Sequence, residues 1–403
     1  MKKRTLLLPL CLLLAGCGKT SYNENELPKD AFIRTTELTR EIYTKVRVND
    51  LIVDSNVTVI DGNELVDTSS LGEHIYKAIV AYKNNKYNYE IKYKVVDDQA
   101  PIIITAPTQV NLYNTTEKSP CDSFVFVDNY DKEPTCTIDG TYDTKKNGTY
   151  NLTAVIKDSS GNELQKPFTL TITNEPTKKN SNATTAPVSK TRLNISDVIS
   201  KHKNDNTMIG IDVSKWQGNI DFNKVKAAGV EFVIMRLGTQ TDLQNDISVD
   251  TCYEQNIKNA KAAGLKVGVY VATTANTVEL AQAQAKWTVK VLNGTKLDFP
   301  VAFDFERWTI FRTFKMNLND LEKVYNAFRD ELKNNGYDLM LYSSKWYLEN
   351  IWPFEDSTTV WLAHYTNETN YTGKYVMWQM SNKGNVDGIN TDVDIDIYYK
   401  NKE

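Results

Sequence analysis

Near residue 208 the spacing of apolar residues changes period, and this change constrains the fold of the 403-residue chain more than any other feature. From about 30 to 175, short runs rich in Val, Ile, Thr and Tyr lie between Asn, Asp and Gly turns, the pattern of half-buried strands. From 208 onward, strand and helix patterns alternate. Residues 208–213 read as a strand, 221–228 as a capped helix closed by Gly229, and 231–236 as the next strand. Helix 250–263, strand 266–271, helix 277–291, strand 300–305, helix 319–335 and strand 338–342 follow. After about 350 the helices shorten, and 359–363, 375–379 and 391–397 read as strands. Five β-α units with terminal strands predict an α/β shortened TIM-like barrel, with an open doubly wound sheet as the alternative. The fold class is multidomain: two small all-β sandwiches at 30–98 and 99–175, a linker at 176–206, and the α/β domain at 207–403.

The all-β part contains a repeat. Asp67-Thr68 leads through Gly72 into a strand, and Asp143-Thr144 does the same through Gly148, in copies of about 70 residues, the size of a small sandwich. The second copy, with Asp98-Gln99-Ala100-Pro101 at its start and Lys157-Asp158-Ser159-Ser160-Gly161-Asn162 late in it, resembles the immunoglobulin-like modules of bacterial surface proteins. Neither copy shows a chemical motif, so both read as a stalk. Asp128 and Asp131 read as turn formers rather than calcium ligands. Residues 176–206 are rich in Lys, Asn, Thr and Ser, with Pro176 and Pro187, as in an exposed linker.

Residues 1–16 read as an export signal: Lys2, Lys3 and Arg4 precede an apolar run, Leu6 to Leu14, that falls short of the ~20 residues a spanning helix needs. Leu14-Ala15-Gly16-Cys17 resembles the lipobox of bacterial lipoproteins. The resemblance implies cleavage before Cys17, lipidation of its thiol and a tether over 17–29, which would hold the protein on the outer face of the cytoplasmic membrane. Gly18-Lys19-Thr20 is not a phosphate loop, because Leu13 stands where that pattern needs Gly. Of five cysteines, Cys11 leaves with the signal and Cys17 is the anchor. Cys121 and Cys136 can face each other across a hairpin or remain free, and Cys252 reads as buried. So few cysteines, and scattered His74, His202 and His364, give no metal-ligand spacing, and no metal or other cofactor is expected. A formal charge of −4 without a basic block argues against nucleic acid as a partner.

In a barrel of this kind, reactive groups gather at the C-terminal ends of the strands, and acids are frequent there. The first strand ends near Asp212, the fourth runs through Asp304-Phe305-Glu306, and the last contains Asp392, Asp394 and Asp396. Period-two alternation puts Asp304 and Glu306 on one side and Phe303 and Phe305 on the other. Two carboxyls in one small space suit glycoside cleavage, which needs one protonated and one ionised. A structural role, bonded to neighbouring amides or cations, is the other reading of the pair.

Gly210-Ile211-Asp212-Val213-Ser214-Lys215-Trp216-Gln217-Gly218, Phe232-Val233-Ile234-Met235-Arg236, Asp304-Phe305-Glu306, Tyr342-Ser343-Ser344, Trp361-Leu362-Ala363-His364-Tyr365, Met377-Trp378-Gln379 and Val393-Asp394-Ile395-Asp396 resemble, in order, the motifs of glycoside hydrolase family 25 lysozymes. The resemblance covers essentially all of 208–400. It implies a muramidase acting on peptidoglycan glycan strands, with Glu306 as general acid, Asp304 assisting, and Asp212 and Asp394 as supporting carboxylates. Tyr270, Tyr342, Tyr365, Trp378, Gln379 and Arg236 would contact substrate. After Tyr270 the chain departs from the family pattern, with Val271-Ala272-Thr273-Thr274-Ala275 where bulkier residues are usual, which implies a wider groove or a weaker sugar contact. Arg307 to Arg312 is expected to form a rim or lid. A wall-binding protein without turnover and an adhesin are the competing classes; retention of all four carboxylates favours the enzyme.

Overall fold

The computed structural model describes residues 27–36, 38–175, 192–240, 246–352 and 358–402. The expected signal, Cys17 and residues 176–191 of the expected linker lie outside the described residues. The chain divides into two compact units, 1–98 and 99–403.

In the first unit, the hairpin Gly72–Tyr82 and Asn85–Val96 is the centre of a four-stranded sheet. Thr39–Glu41 runs parallel to the second hairpin strand and Thr58–Val59 antiparallel to the first. A separate pair, Ile33–Thr35 with Ile52–Ser55, and a 3-10 turn at Val48–Leu51 complete it. Alternation buries Ala78, Val80, Ile91, Tyr93 and Val95.

Residues 99–175 repeat this plan element for element. The hairpin is Gly148–Lys157 with Glu163–Thr173, flanked by Gln109–Tyr113, parallel, and Thr135–Asp139, antiparallel. The separate pair is Ile102–Thr105 with Val125–Val127, and the 3-10 turn is Pro120–Ser123. Gly72 and Gly148, the matched glycines of the sequence repeat, open the equivalent strand in each copy. Cys121 and Cys136 form a disulfide with Cα atoms 6.0 Å apart. It ties the 3-10 turn to an edge strand, not the two strands of a hairpin. Asp128 Oδ1 accepts from the amides of Tyr130 (2.9 Å) and Asp131 (2.6 Å), the work of a turn former.

The C-terminal part is a closed barrel of eight strands: β1 (Thr207–Val213), β2 (Phe232–Thr239), β3 (Lys266–Ala272), β4 (Val301–Asp304), β5 (Leu339–Ser344), β6 (Val360–Ala363), β7 (Met377–Asn385) and β8 (Val393–Tyr399). β1 to β7 pair in order and parallel; β8 runs antiparallel between β7 and β1 and closes the ring, so the sheet is not open. Helix α1 (Ile195–His202) precedes β1. The crossovers from β1 to β6 carry α2 (Phe222–Ala227), α3 (Tyr253–Ala262), α4 (Val278–Leu292), the pair α5 (Ile310–Phe314) and α6 (Leu318–Asn334), and α7 (Lys345–Asn350). Outward residues such as Ile209, Ile211, Val233, Val269 and Phe303 pack under the helices. Inward, Met208, Phe232, Phe299, Met340 and Met377 plug the lower half. The plug needs Gly210, because a Cβ there would lie 2.3 Å from the Phe232 ring.

Two expectations are corrected. Residues 192–206 are not linker: Leu193–Asn194 pairs with Gly384 and Asn385 of β7, and Ile195 and Val198 of α1 are buried in the barrel core. Two apolar anchors in eight residues are too few to stand out as helical periodicity among polar neighbours. Residues 99–175 are not a free stalk segment either, since Val127 lies in the same buried apolar cluster as the barrel helices.

Candidate active site

Alternation along each strand loads the upper half of the barrel with polar side chains. Above the apolar plug, β1 contributes Asp212, β2 Arg236, β3 Tyr270, β4 Asp304, β5 Tyr342, β7 Gln379, and β8 both Asp394 and Asp396. Glu306 follows β4. Phe303 and Phe305 are buried on the opposite side with parallel rings, as the alternation requires.

Asp304 is 8% exposed, and its Oδ1 has no hydrogen-bond partner among the described residues. Burial and the neighbouring Glu306 charge hold its carboxyl well above the ordinary carboxylate range, against the opposing pull of Arg236. Glu306 stands at the mouth, open to solvent, yet the surrounding walls desolvate it enough to raise its carboxyl too. One member of the pair is therefore sequestered and the other accessible.

A second group of acids lies across the barrel. Asp212 and Asp396 are both buried and close enough to act on each other; desolvation, reinforced by Asp394, pushes both carboxyls well up. Asp394 is raised to about 6, first by desolvation. Asp396 Oδ1 accepts from Trp361 Nε1 at 2.9 Å. Gln379 donates from Nε2 to Asp212 Oδ2 at 2.7 Å, and its Oε1 accepts from the hydroxyls of Tyr342 (2.8 Å) and Tyr365 (3.0 Å). This carboxamide has its bonds within the protein, and it orients Asp212.

The family model of the glycosyl hydrolases family 25 matches residues 211–389, which contain Asp212, Asp304, Glu306 and Gln379. Residues 211–389 are thus a family 25 glycoside hydrolase domain. The autolytic lysozyme of Clostridium acetobutylicum is 30% identical over 191 residues, covering 47% of this chain and 55% of that protein. Lysozyme M1 of Streptomyces globisporus is 28% identical over 207 residues, 46% of this chain and 65% of its own length. The chain thus spans between half and two thirds of these relatives. Among solved structures, a family 25 glycosyl hydrolase from Bacillus anthracis aligns with a TM-score of 0.43 at 20% identity, covering 50% of this chain and 93% of that one.

Within the family 25 domain, several expected contacts are placed differently. Trp378 does not line the mouth: it points outward from β7, is 2% exposed, packs edge-on against His202 of α1 and donates to the His364 carbonyl. Its neighbours Met377 and Gln379 take the inward positions, so alternation excludes it. Arg236 donates from Nε to Asp250 Oδ2 at 2.7 Å, with Nη2 in an ion-pair contact 2.6 Å from the same oxygen, and Asp250 also accepts from the amides of Lys215 and Cys252. The guanidinium thus anchors the turn after β1. Cys252 is half-buried. Thr273 and Thr274 are both buried, with hydroxyls on Gln284 and Gln240 (2.6 Å each), and the Thr273 amide donates to the Asp304 carbonyl. Trp308 and Phe311 are buried, so 307–312 is part of the body rather than a lid.

Other groups were given no role from the sequence. Asp396, named there among the strand-end acids, was legible by the alternation that paired Asp304 with Glu306, since it lies two residues beyond Asp394. The Gln240, Thr273, Thr274 and Gln284 network joins distant segments and has no sequence signal. Trp216, 70% exposed in the 3-10 turn after β1, and the exposed Trp346 on α7 after β5 were not read as site residues. β1 and β5 lie four places apart in an eight-strand ring, so the segments that carry these exposed indoles leave the ring on opposite sides, with exposed Tyr365 beyond β6. A broad concavity at the other end of the barrel, lined by Phe299, Tyr325, Tyr375 and Tyr398, holds none of these carboxyls.

Proposed function

We propose that the family 25 domain hydrolyses the β-1,4 bond between N-acetylmuramic acid and N-acetylglucosamine in peptidoglycan. The observation behind this reading is the geometry of the pair at the end of β4: a buried carboxyl with an open oxygen and, two residues on, a carboxyl that faces solvent. Glu306 delivers its proton to the leaving glycosidic oxygen, which only the solvent-facing member can reach. Asp304 faces the positive charge that develops at the anomeric carbon, or steers the acetamido group beside it; Asp212 and Asp394 support it. Trp216, Trp346 and Tyr365 offer faces on which sugar rings stack, on both sides of the acids, as an extended glycan strand requires. Because Glu306 acts in its protonated form, activity is held below its raised value and falls as pH climbs through it.

Digestion of purified peptidoglycan by the full chain, with mass spectrometry of the released ends, tests the reading. Reducing N-acetylmuramic acid ends are expected, falling roughly 10²–10⁴-fold with Glu306→Gln. Reducing N-acetylglucosamine ends would move cleavage to the other bond, and folded protein that binds walls but releases no ends would leave a binding protein instead.

The same proposal places the enzyme on the outer face of the bacterial cytoplasmic membrane, held by lipid on Cys17, behind two immunoglobulin-like modules. The disulfide supports an oxidising compartment. Cys17→Ser should abolish incorporation of radiolabelled fatty acid and release the protein from membranes.

A further inference from the structure

The connection that leaves Glu306 is gripped on two sides. After β4 the chain passes Trp308 into α5, turns at Lys315 with φ 53°, and enters α6. On the inner side, Trp308 stacks on Tyr347 with ring centroids 3.9 Å apart and meets Phe305 edge-on. On the outer side lies the segment 127–133 of the second β-module. Val127, 1% exposed, is buried in the barrel's own cluster, with Ile102 and Ile104 packed against it.

Polar contacts follow the apolar one. The first turn of a helix leaves its amides without partners in the helix. In α6, the Leu318 amide donates to the Asp128 carbonyl of the module at 2.9 Å. Asn317, buried, caps the helix by accepting from the Asp320 amide at 2.8 Å and donates from Nδ2 to the Tyr130 carbonyl. Lys132 pairs with Asp320 (2.7 Å), Glu133 with Lys315 (2.9 Å) and Asp122 with Arg312 (3.3 Å). The module thus contacts α5, the Lys315 turn and the α6 cap in succession, along the stretch whose upstream end is Glu306.

We propose that the second β-module is a clamp that fixes the Glu306 connection for catalysis, with Val127 and Lys132 as positioning residues. The proposal rests on the reading of Glu306 as proton donor. A proton donor misplaced by about 1 Å can lose on the order of 10²-fold in rate, so a connection held from one side only would serve poorly. Neither Val127 nor Lys132 is among the acids and aromatics of the barrel mouth, so their substitution acts on kcat through the connection.

The test uses the full chain with Val127→Ala, Val127→Asp and Lys132→Glu, and reads two quantities. Amide hydrogen exchange over 306–318 needs no substrate, and exchange in the hairpin Gly148–Lys157 and Glu163–Thr173 reports whether the module itself still folds. With the hairpin protected, exchange over 306–318 should rise and kcat on peptidoglycan should fall, each roughly tenfold for Val127→Asp, with KM nearly unchanged. If Val127→Asp unfolds the hairpin, Val127→Ala and Lys132→Glu give the same readouts at smaller amplitude. Unchanged exchange over 306–318 in those two variants overturns the clamp. Faster exchange there with wild-type kcat overturns the positioning role. If the wild-type chain hydrolyses no peptidoglycan, the muramidase reading fails, and the exchange data still decide whether the module holds the connection.

Discussion

Asp396 shows how a single residue trades stability against function. Its carboxyl is fully buried, and burial raises it well above its ordinary value of 3.8. The folded state therefore binds this proton more tightly than the unfolded state does. Its contribution to stability is complete below the ordinary value and is lost as pH rises through the raised one. Asn at this position can present Oδ1 to Trp361 Nε1 and an amide proton to Asp212 without the charge. Asp396→Asn should accordingly raise the melting temperature at pH 7, with the gap closing toward pH 4, while lowering hydrolysis; equal melting temperatures at pH 7 would argue against the burial account. The same logic covers Asp304, whose buried, unbonded oxygen is costly to the fold and useful to a reaction.

Elements differ in how much of their reason for existing lies within them. α6 is legible alone, with an Asn317 cap, Asp320 at the third position and apolar residues Leu321, Val324, Phe328 and Leu332 on one face. α1 is not, for its stability comes from Ile195 and Val198 inserted beneath the barrel. Ile195→Ala should cost about 2–4 kcal/mol in urea unfolding, as for a core aliphatic. A linker residue would change stability by no more than about 0.5 kcal/mol, and such a value would return 192–206 to the linker. The Cys121–Cys136 bond, with a sequence separation of 15, should supply about 3 kcal/mol by restricting the unfolded loop. Replacing both cysteines by Ser should speed exchange in the Glu163–Thr173 hairpin and leave the Gly72–Tyr82 hairpin unaffected.

At the scale of the molecule, the sequence by itself determined whatever repeats locally. Period two along the strands paired Asp304 with Glu306 and set the two β-modules in register at Gly72 and Gly148. The alternation of strand and helix after 208 specified five β-α units, and closely spaced motifs marked the family. Each of these depends on neighbours within about one turn or two strand residues, so the order of amino acids states it directly. Only the tertiary structure decided which parts meet. Closure through β8 brought Asp396 near Asp212, although 184 positions of chain separate the two residues and sequence alone leaves their strands unpaired. The outward turn of Trp378 toward His202, the buried network behind Asp304 and the docking of Val127 beside α5 likewise join residues far apart in the chain. Such contacts arise because a closed barrel must bury both faces of its strands at once, and which side chain fills which space is a property of the assembled core rather than of any segment within it.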